Sequence, residues 1–385
     1  MLQLELTRSG GVVVSDPSTK DALIRGFYGR QRNGVLELRP EEALYLMDVR
    51  NATLGSGAKR LSFNEFASRY WRSPKFMARY FTYRDWRSRG LVAAYADTVR
   101  RSKTLAKAGE YPAAKFRLPR AMFTGTFFKN DLVSVLDDNK ASKELYEKLW
   151  FGQYGSYKAP GIGCMNKLDA YETLFLLDSG ALYLRNVTRG RLVAYAAERR
   201  REFPSLYAVY ADWRRRGYVV KTGFKFGTHF RLYMPGARPG EAGNAEWSHS
   251  RHVIQVFDKS SRALISEWAR AIRVAHSVRK TFILAIPGAS AASRKPIDFA
   301  LYYRHGGEAD TPVGGRPAFA MLSLGEEEYL GGRELAGAIK EAQRLGLGLL
   351  LAIADRETAV TYYKVNRVRL RGSANDYFEI EWMQP

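Results

Sequence analysis

The eight residues YRDWRSRG, Tyr83 to Gly90, return as YADWRRRG, Tyr210 to Gly217. Only the second copy is followed by VVKTGFKFGTHFRLY, which ends at Tyr233. Two other pairs of segments match in the same order and at nearly the same offset: TKDALIRGFYG with SKELYEKLWFG, and PEEALYLMD with DAYETLFLLD. Internal repeats of this kind indicate copies of one structural module. The chain therefore begins with two copies of a module, and each copy leads into a different sequence.

A second internal repeat covers the C-terminal part of the chain. Residues 249–286 align without a gap with residues 316–353, and each copy then reaches a tyrosine pair, ALYYR near Tyr302 and TYYKV near Tyr362. We therefore expect a complete middle unit, preceded by a front fragment and followed by a back fragment. The predicted divisions are 1–115 for the front fragment, 116–195 and 196–306 for the two domains of the middle unit, and 307–385 for the back fragment.

Hydrophobic periodicity predicts a mixture of helices and strands. Apolar residues recur at helical spacing in four segments: EEALYLMD, ETLFLLD, residues 266–278 and residues 334–345. Runs rich in β-branched and aromatic residues predict five strands: YVVKTG, FRLYM, HVIQVF, TFILAI and ALYYR. This pattern favours an α+β fold of tandem units, each with small mixed sheets packed against short helices, over one large doubly wound sheet.

The composition favours a polyanionic partner. The 61 Lys and Arg residues against 39 Asp and Glu give a net charge of +22, spread along the whole chain, which is typical of proteins that bind nucleic acid. The longest apolar run, LGLGLLLAIA, is about half of the ~20 residues that a membrane-spanning helix needs. The first residues lack the pattern of a secretory signal, and the single Cys164 can form no internal disulfide. We expect a cytoplasmic protein without a membrane segment.

The repeated copies differ in their ionisable residues. All five His residues lie in the middle unit, and the back fragment has Arg316 opposite His249 and Leu347 opposite Lys280. A copy that keeps the apolar positions and lacks the ionisable ones is expected to serve as a scaffold. We therefore expect the middle unit to carry the chemistry.

Three segments of the middle unit, VVKTGFKFGTHFRLY, HSRHVIQVF and RVAHSVRKTFILAI, closely resemble the catalytic subunit of archaeal tRNA-splicing endonucleases. The resemblance covers almost the whole chain, and the arrangement of three units resembles the homodimeric type of some archaea. It implies a catalytic triad of Tyr233, His249 and Lys280, and non-catalytic roles for the front and back fragments. It also implies that a homodimer cuts precursor tRNA at bulge-helix-bulge sites without a metal ion or cofactor.

The residue types of this triad suit metal-free cleavage of RNA. Attack by the neighbouring 2′-hydroxyl needs a base for its proton, an acid for the 5′-oxygen and a cation for the charge on phosphorus. Histidine, with an ordinary pKa of about 6.5, is the better acid, so we assign that role to His249. Tyr233 is then the base, and a nearby cation such as Lys280 is expected to help its deprotonation. The products would be a 2′,3′-cyclic phosphate and a 5′-hydroxyl.

Each of these residues also has an ordinary explanation. Tyr233 fits a strand aromatic, and Lys280 fits a solvated helix end. His249 and His252 could begin a metal site, but three residues apart on a strand they point to opposite faces, and no third ligand accompanies them. Residues 218–288 offer four carboxylates without the paired motif of a metal-dependent nuclease. A catalytically silent, structural RNA-binding protein on the same scaffold is the alternative function.

Four basic residues are predicted to contact the RNA: Lys158, Arg273, Arg279 and Arg304. The family resemblance implies that two Arg side chains clamp a bulged base, for which Arg273 and Arg304 are the candidates. Lys158 lies in GQYGSYKAPGIGCMNK, a Gly-rich segment that is longer than its match in the first copy and could reach phosphate. Ordinary surface positions are the alternative for all four.

An acidic segment of the back fragment bears on assembly. ADRETA contains Asp355 and Glu357, whereas the corresponding PGASAASRKP of the middle unit holds no acid. The resemblance implies that a non-catalytic unit offers an acidic loop to a catalytic unit. We therefore expect Asp355 and Glu357 to dock on the other chain of a homodimer, and TYYKV to pair with ALYYR within one chain.

Overall fold

The computed structural model describes residues 2–99, 108–118, 122–157, 159, 161–239, 250–258, 260–288 and 297–385. The helices of these residues are α1 (Pro17–Arg25), α2 (Pro40–Val49), α3 (Phe63–Ala67), α4 (Phe76–Ser88), α5 (Asn139–Leu149), α6 (Ala170–Asp178), α7 (Arg189–Arg199), α8 (Phe203–Arg215), α9 (Ile265–Ser277) and α10 (Gly332–Arg344). Short 3₁₀ turns cover Ser68–Tyr70, Ala96–Thr98 and Phe224–Phe226.

The strands are β1 (Gln3–Leu6), β2 (Val12–Val14), β3 (Arg30–Arg32), β4 (Val35–Leu38), β5 (Thr53–Ser56), β6 (Lys59–Leu61), β7 (Ala93–Tyr95), β8 (Gly109–Tyr111), β9 (Phe123–Phe128), β10 (Val133–Leu136), β11 (Gln153–Tyr154), β12 (Asn166–Asp169), β13 (Leu182–Leu184), β14 (Val219–Thr222), β15 (Phe230–Tyr233), β16 (His252–Val256), β17 (Arg262–Leu264), β18 (Thr281–Ala285), β19 (Phe299–Leu301), β20 (Arg304–His305), β21 (Glu308–Ala309), β22 (Phe319–Gly325), β23 (Tyr329–Gly331), β24 (Gly348–Ala354), β25 (Val360–Leu370) and β26 (Tyr377–Met383). The predicted helices and strands are all present, and the α+β fold class is confirmed.

The two N-terminal copies form sheets of the same topology. The first has the order β3-β4-β2-β1-β5-β6, and the second has the order β11-β12-β10-β9-β13. In both sheets the first strand pairs in parallel with the strand that comes after the second helix of the copy, β1 with β5 and β9 with β13. The front repeat in the sequence is therefore a repeat of structure.

The repeated phrase YRDWRSRG and YADWRRRG performs the same packing task in both copies. Trp86 and Trp213 are fully buried. Arg87 donates to the carbonyl of Gly26 at 2.6 Å, and Arg214 donates to the carbonyl of Leu149 at 2.6 Å. Each guanidinium therefore satisfies a backbone oxygen at the end of the first helix of its copy, where helical carbonyls lack partners. The phrase belongs to the scaffold.

The small sheets of the C-terminal parts join into one central sheet of eleven strands. Its order is β14-β15-β16-β18-β26-β25-β24-β22-β19-β7, with β8 beside β25. The half β14-β15-β16-β18-β26 and the half β7-β19-β22-β24-β25 share the same sequence of antiparallel and parallel pairings, and β26 pairs with β25 between them. We call these the catalytic half and the scaffold half. The scaffold half takes strands from the front fragment, from residues just before 306 and from the back fragment.

The predicted pairing of TYYKV with ALYYR is wrong. TYYKV lies in β25, which pairs with β24, β26 and β8, whereas the strand of ALYYR, β19, pairs with β22 and β7. The register identifies the true counterpart: Leu301 lies opposite Ala93 and Phe319, as Leu232 lies opposite Val220 and His252. ALYYR is thus the structural equivalent of FRLYM in the catalytic half, and it was misassigned because each C-terminal segment contains a tyrosine pair.

Among the described residues, three large hydrophobic cores and a small cluster of Val219, Tyr233 and Ala237 hold this arrangement. One unites residues 111–285 with part of β25 and β26, and another unites the front fragment with β19 and buried residues of the back fragment. The third lies between α9, α10 and the central strands. No helix in the described part of the chain is long and apolar enough to cross a membrane.

Candidate active site

Three chain segments meet at one edge of the catalytic half. β15 ends at Tyr233 and runs antiparallel to β16, with Leu232 opposite His252. β16 runs parallel to β18, with His252 opposite Thr281. The end of β15 therefore adjoins the beginnings of β16 and β18, and this edge receives Tyr233, Lys280 and the segment that starts at Ser250. His249 itself lies outside the described residues.

Lys280 is fixed beside the residue that comes directly after His249. Its ammonium donates to the carbonyl oxygen of Ser250 and, at 3.0 Å, to the Ser250 hydroxyl. The same ammonium lies 4.8 Å from the centre of the Phe226 ring. Burial, and then the positive charge of Arg231, lower the pKa of Lys280. Lys280 is thus anchored to the immediate chain neighbour of the predicted acid.

Tyr233 is buried against the middle unit's N-terminal domain. Its ring centre lies 4.6 Å from that of Trp150, which directly succeeds α5. Burial raises the pKa of Tyr233, and the positive charge of Arg231, whose guanidinium lies 5.7 Å from the ring centre, offsets part of that rise. We expected the charge of Lys280 to lower the pKa of Tyr233. In the structure, the charge with the clearest effect on that pKa is that of Arg231.

Arg231 is a functional candidate that the sequence analysis missed. It lies on β15 two residues before Tyr233, so both side chains are on the same face of the strand. Its Nε is buried and has no hydrogen-bond partner among the described residues. The Nε atoms of Arg79, Arg87 and Arg214 are in the same situation. Arg231 differs from them in its place near Tyr233 and Lys280, where its positive charge can meet a phosphate. The motif FRLY contained the signal, since its Arg is separated from Tyr233 by a single residue.

His252 is less suited to act as an acid than His249 was expected to be. Burial lowers the pKa of His252 to about 4, with a smaller effect from Arg251. The imidazole is therefore neutral near pH 7, and a neutral imidazole is a poor proton donor. Among the described residues no group of three or more His, Cys, Asp and Glu side chains is arranged to hold a metal ion.

The predicted RNA-binding residues lie in different places. Arg273 is exposed on α9, close enough to Tyr363 for its charge to lower the pKa of that tyrosine, which burial raises. Arg279 lies just beyond the same helix in the left-handed conformation, with φ at 53°, and its side chain is exposed. Lys158 lies outside the described residues, next to Tyr157, which is 56% exposed.

Arg304 lies away from the triad positions of its own chain. It is on β20, shortly after the scaffold-half strand β19, and its guanidinium donates to the carbonyl of Arg89 at 3.0 Å. This bond joins it to the end of α4 in the front fragment. If Arg304 contacts RNA at an active site, that RNA is therefore not bound at Tyr233 of the same chain.

The acidic segment forms the loop between β24 and β25. Asp355 accepts backbone hydrogen bonds from Glu357 and Ala359, each at 2.9 Å, so its carboxylate organises the loop. Glu357 is exposed at the tip. Of the two predicted assembly residues, Glu357 is thus the one whose side chain is presented outward.

Comparisons with known proteins identify two domains of one enzyme family in this chain. The catalytic C-terminal domain of the tRNA intron endonucleases matches residues 203–295, and the N-terminal domain of these enzymes matches residues 5–67. The first match spans β14 to β18 and includes Tyr233, His249 and Lys280.

Several archaeal proteins with the name tRNA-splicing endonuclease are similar to this chain. The protein of Methanococcoides burtonii is 27% identical in an alignment of length 338 that covers 71% of this chain and 93% of the relative. That of Thermococcus gammatolerans is 34% identical over 164 residues, 42% of this chain and 88% of the relative. That of Hyperthermus butylicus is 35% identical over 165 residues, 41% of this chain and 87% of the relative. This chain belongs to the family of tRNA-splicing endonucleases.

Proposed function

We propose that this protein is an RNA endonuclease that excises introns from precursor tRNA, cutting at bulge-helix-bulge sites without a metal ion. The observation that carries the proposal is the meeting of Tyr233, Arg231 and Lys280 at the sheet edge where the segment after His249 begins. Family membership supports intron excision as the activity. The edge combines a phenol with two cations, which can supply the base and the stabilising charge of metal-free RNA cleavage, and His249 would supply the acid.

Each residue has one role in this mechanism. Tyr233 accepts the proton of the 2′-hydroxyl, whose oxygen then bonds to the adjacent phosphorus. The bond from phosphorus to the 5′-oxygen breaks, and His249 gives that oxygen a proton. Lys280 and Arg231 stabilise the negative charge that develops on the non-bridging oxygens. The products are a 2′,3′-cyclic phosphate and a 5′-hydroxyl.

Burial of Tyr233 has a consequence for this mechanism. Because burial raises its pKa, the phenolate is scarce at neutral pH. Arg231 counteracts this effect, and a bound RNA that covers the site would strengthen every charge interaction within it. Tyr233 therefore depends on its cationic neighbours to act as a base.

Two active sites in a homodimer would suit two cuts in one RNA. In this arrangement the outward-facing Glu357 of one chain docks on a basic surface of the other chain. The net charge of +22 makes such basic surfaces abundant. Precursor tRNA in the cytoplasm is the substrate that this assembly would meet.

The test is cleavage of one intron-containing precursor tRNA by the purified full chain in the presence of EDTA, with mapping of both ends. We expect a cyclic phosphate and a 5′-hydroxyl at each intron boundary. A matched substrate with a 2′-deoxynucleotide at each cut site should bind equally and stay intact, because the nucleophile is missing. A requirement for Mg²⁺, or cleavage of the deoxy substrate, would contradict the mechanism. Binding without cleavage of either RNA would identify a silent RNA-binding protein.

A further inference from the structure

A large aromatic side chain stands in the solvent next to the candidate active site. Phe224 opens the 3₁₀ turn Phe224–Phe226 between β14 and β15, and its side chain is 86% exposed. Phe226, two residues later, contacts the Lys280 ammonium. Two residue steps span at most about 7.6 Å between Cα atoms. The turn that carries the exposed ring therefore adjoins Lys280, one of the residues proposed to cleave RNA.

The turn that carries Phe224 is well ordered by its own hydrogen bonds. Gly223 donates to the carbonyl of His229 at 3.0 Å, and Phe226 donates to that of Gly223 at 2.8 Å. A Cβ on Gly223 would lie 2.4 Å from the Thr228 hydroxyl, so glycine is required there. Gly227 has a φ of 63°, which glycine adopts without strain. The outward position of Phe224 is thus set by a tight turn.

The non-catalytic copy provides an internal control for this position. In the ungapped repeat, Phe224 corresponds to Asp97 and Phe226 corresponds to Val99, and Ala96–Thr98 is also a 3₁₀ turn. Val99 and Phe226 both pack against the same hydrophobic core. The scaffold therefore requires an apolar residue at the second position and accepts a charged one at the first. The phenyl ring at the first position is 86% exposed, so it contributes little to packing among the described residues.

Basic side chains lie near the turn that carries this ring. The ammonium of Lys225 lies 4.7 Å from the centre of the Tyr157 ring, in the longer segment of the middle unit. Phe226 links the turn to Lys280, and the charge of Arg231 acts on that same lysine. An exposed aromatic ring among cations is the arrangement that binds single-stranded nucleic acid, by stacking on a base while the cations hold the backbone.

We propose that Phe224 is a stacking platform for an unpaired base of the RNA substrate, adjacent to the cleaved phosphate. This inference rests on the proposed function and specifies how the substrate is positioned. Stacking does not depend on base identity, so Phe224 would select unpaired nucleotides over paired ones rather than one sequence over another. Phe224 would thus contribute to the preference for a bulge.

The test is binding of the full chain to a bulge-helix-bulge RNA that carries 2′-deoxynucleotides at the cut sites, measured by fluorescence anisotropy. Phe224→Ala and Phe224→Asp, the latter with the residue of the non-catalytic copy, should weaken binding by about 5- to 100-fold. Phe224→Trp should keep the affinity of the wild type. Trp71→Ala is the matched control, because Trp71 is 74% exposed on the front fragment, and it should bind like the wild type.

Two further measurements separate stacking from other effects. A series of RNAs with one abasic nucleotide each should include one on which the wild type and Phe224→Ala bind equally, because the stacked base is missing. Phe224→Ala should leave the salt dependence of binding unchanged, whereas Lys225→Ala should lower its slope by about one. Equal affinity of Phe224→Ala and the wild type on the intact RNA would overturn the inference. Failure of the wild type to cut the unmodified RNA would instead overturn the proposed function.

Discussion

The catalytic half and the scaffold half of the central sheet have the same strand order and register, yet they differ where the chemistry is placed. Tyr233 corresponds to Tyr302, and both are buried. Arg231 corresponds to Ala300, while His249 and Lys280 align with Arg316 and Leu347. The fold therefore does not need the three ionisable residues, and their presence in one half indicates a function. The tyrosine, in contrast, is retained where no chemistry is expected.

The two N-terminal copies also share a structural residue, and the catalytic copy has one further ionisable residue beside it. Glu42 accepts from the backbone of Gly29 and Arg39, and Glu172 accepts from that of Gly152 and Asp169, so each glutamate serves the same turn and helix start. The catalytic copy adds Lys221, which pairs with Glu172 at 2.6 Å and donates to the carbonyl of Gly152.

Removal of the predicted acid, His249, should have the largest effect, and the aligned change in the scaffold half should have none. His249→Ala is expected to lower the single-turnover cleavage rate by about 10²- to 10⁴-fold, the usual contribution of a positioned acid, while RNA binding persists. Arg316→Ala, the same change at the aligned position of the scaffold half, should leave the rate unchanged. Undiminished cleavage by His249→Ala would remove His249 from the mechanism.

The retained tyrosine offers a second matched pair. Tyr233→Phe should lower the cleavage rate by about 10²-fold, because the proton acceptor is lost while the ring still packs on Trp150. Tyr302→Phe should cleave like the wild type, since no cation corresponding to Arg231 or Lys280 accompanies it in the aligned positions. Equal losses in both variants would assign the tyrosine to folding in each half.

Lys221→Ala replaces the lysine of the catalytic copy with alanine, which is the residue at the aligned position of the front copy, Ala94. Removal of one partner of a buried ion pair typically costs about 3–5 kcal/mol of the free energy of unfolding. Burial and then the charge of Glu172 raise the pKa of Asp169, while the charge of Lys221 counteracts part of that rise, so the pKa of Asp169 should rise further in the variant. A raised folded-state pKa favours the folded state at low pH, so the loss should be smaller at pH 5 than at pH 8.

Urea unfolding at the two pH values measures this effect. The variant that combines Lys221→Ala with Glu172→Gln removes both members of the buried pair, so its stability should depend less on pH than that of Lys221→Ala. An equal loss at both pH values in Lys221→Ala would show that removal of Lys221 does not change the protonation of Asp169 between these pH values.

Assembly depends on a loop that differs between the halves. Glu357→Lys should weaken the proposed homodimer by about 2 kcal/mol or more, because it places like charges together on a basic surface. The loop itself should survive, since the Asp355 carboxylate that organises it is unchanged. Sedimentation velocity at micromolar concentration would detect the monomer. Asp131→Lys, in an exposed turn of the middle unit, controls for the added charge, and an unchanged dimer in Glu357→Lys would refute this mode of assembly.

Local patterns predicted the elements well, but they did not predict how distant strands combine. YVVKTG, FRLYM, HVIQVF and TFILAI were recognised because alternation and β-branching act within a few residues. The pairing of β19 with β7 joins segments about 200 residues apart, and nothing in either segment specifies its partner. Arg231 and Phe224 were missed for a related reason: the closeness of a guanidinium to Tyr233 and the exposure of a ring are visible only once the structure is known.

The smallest expected effect concerns the cation that the scaffold half lacks. Burial raises the pKa of Tyr233 and Arg231 lowers it, so Arg231→Ala should raise that pKa further. If the phenolate is the base, kcat/KM rises with pH as the phenolate forms, and the rising limb of the profile should move to higher pH in the variant. Arg231→Lys keeps the positive charge and should leave the limb near its wild-type position.

Short single-turnover reactions with an enzyme-free control correct for alkaline hydrolysis of RNA. An unmoved limb in Arg231→Ala would mean that either Arg231 or Tyr233 does not hold its proposed role, and Tyr233→Phe, which should abolish the limb, decides between them.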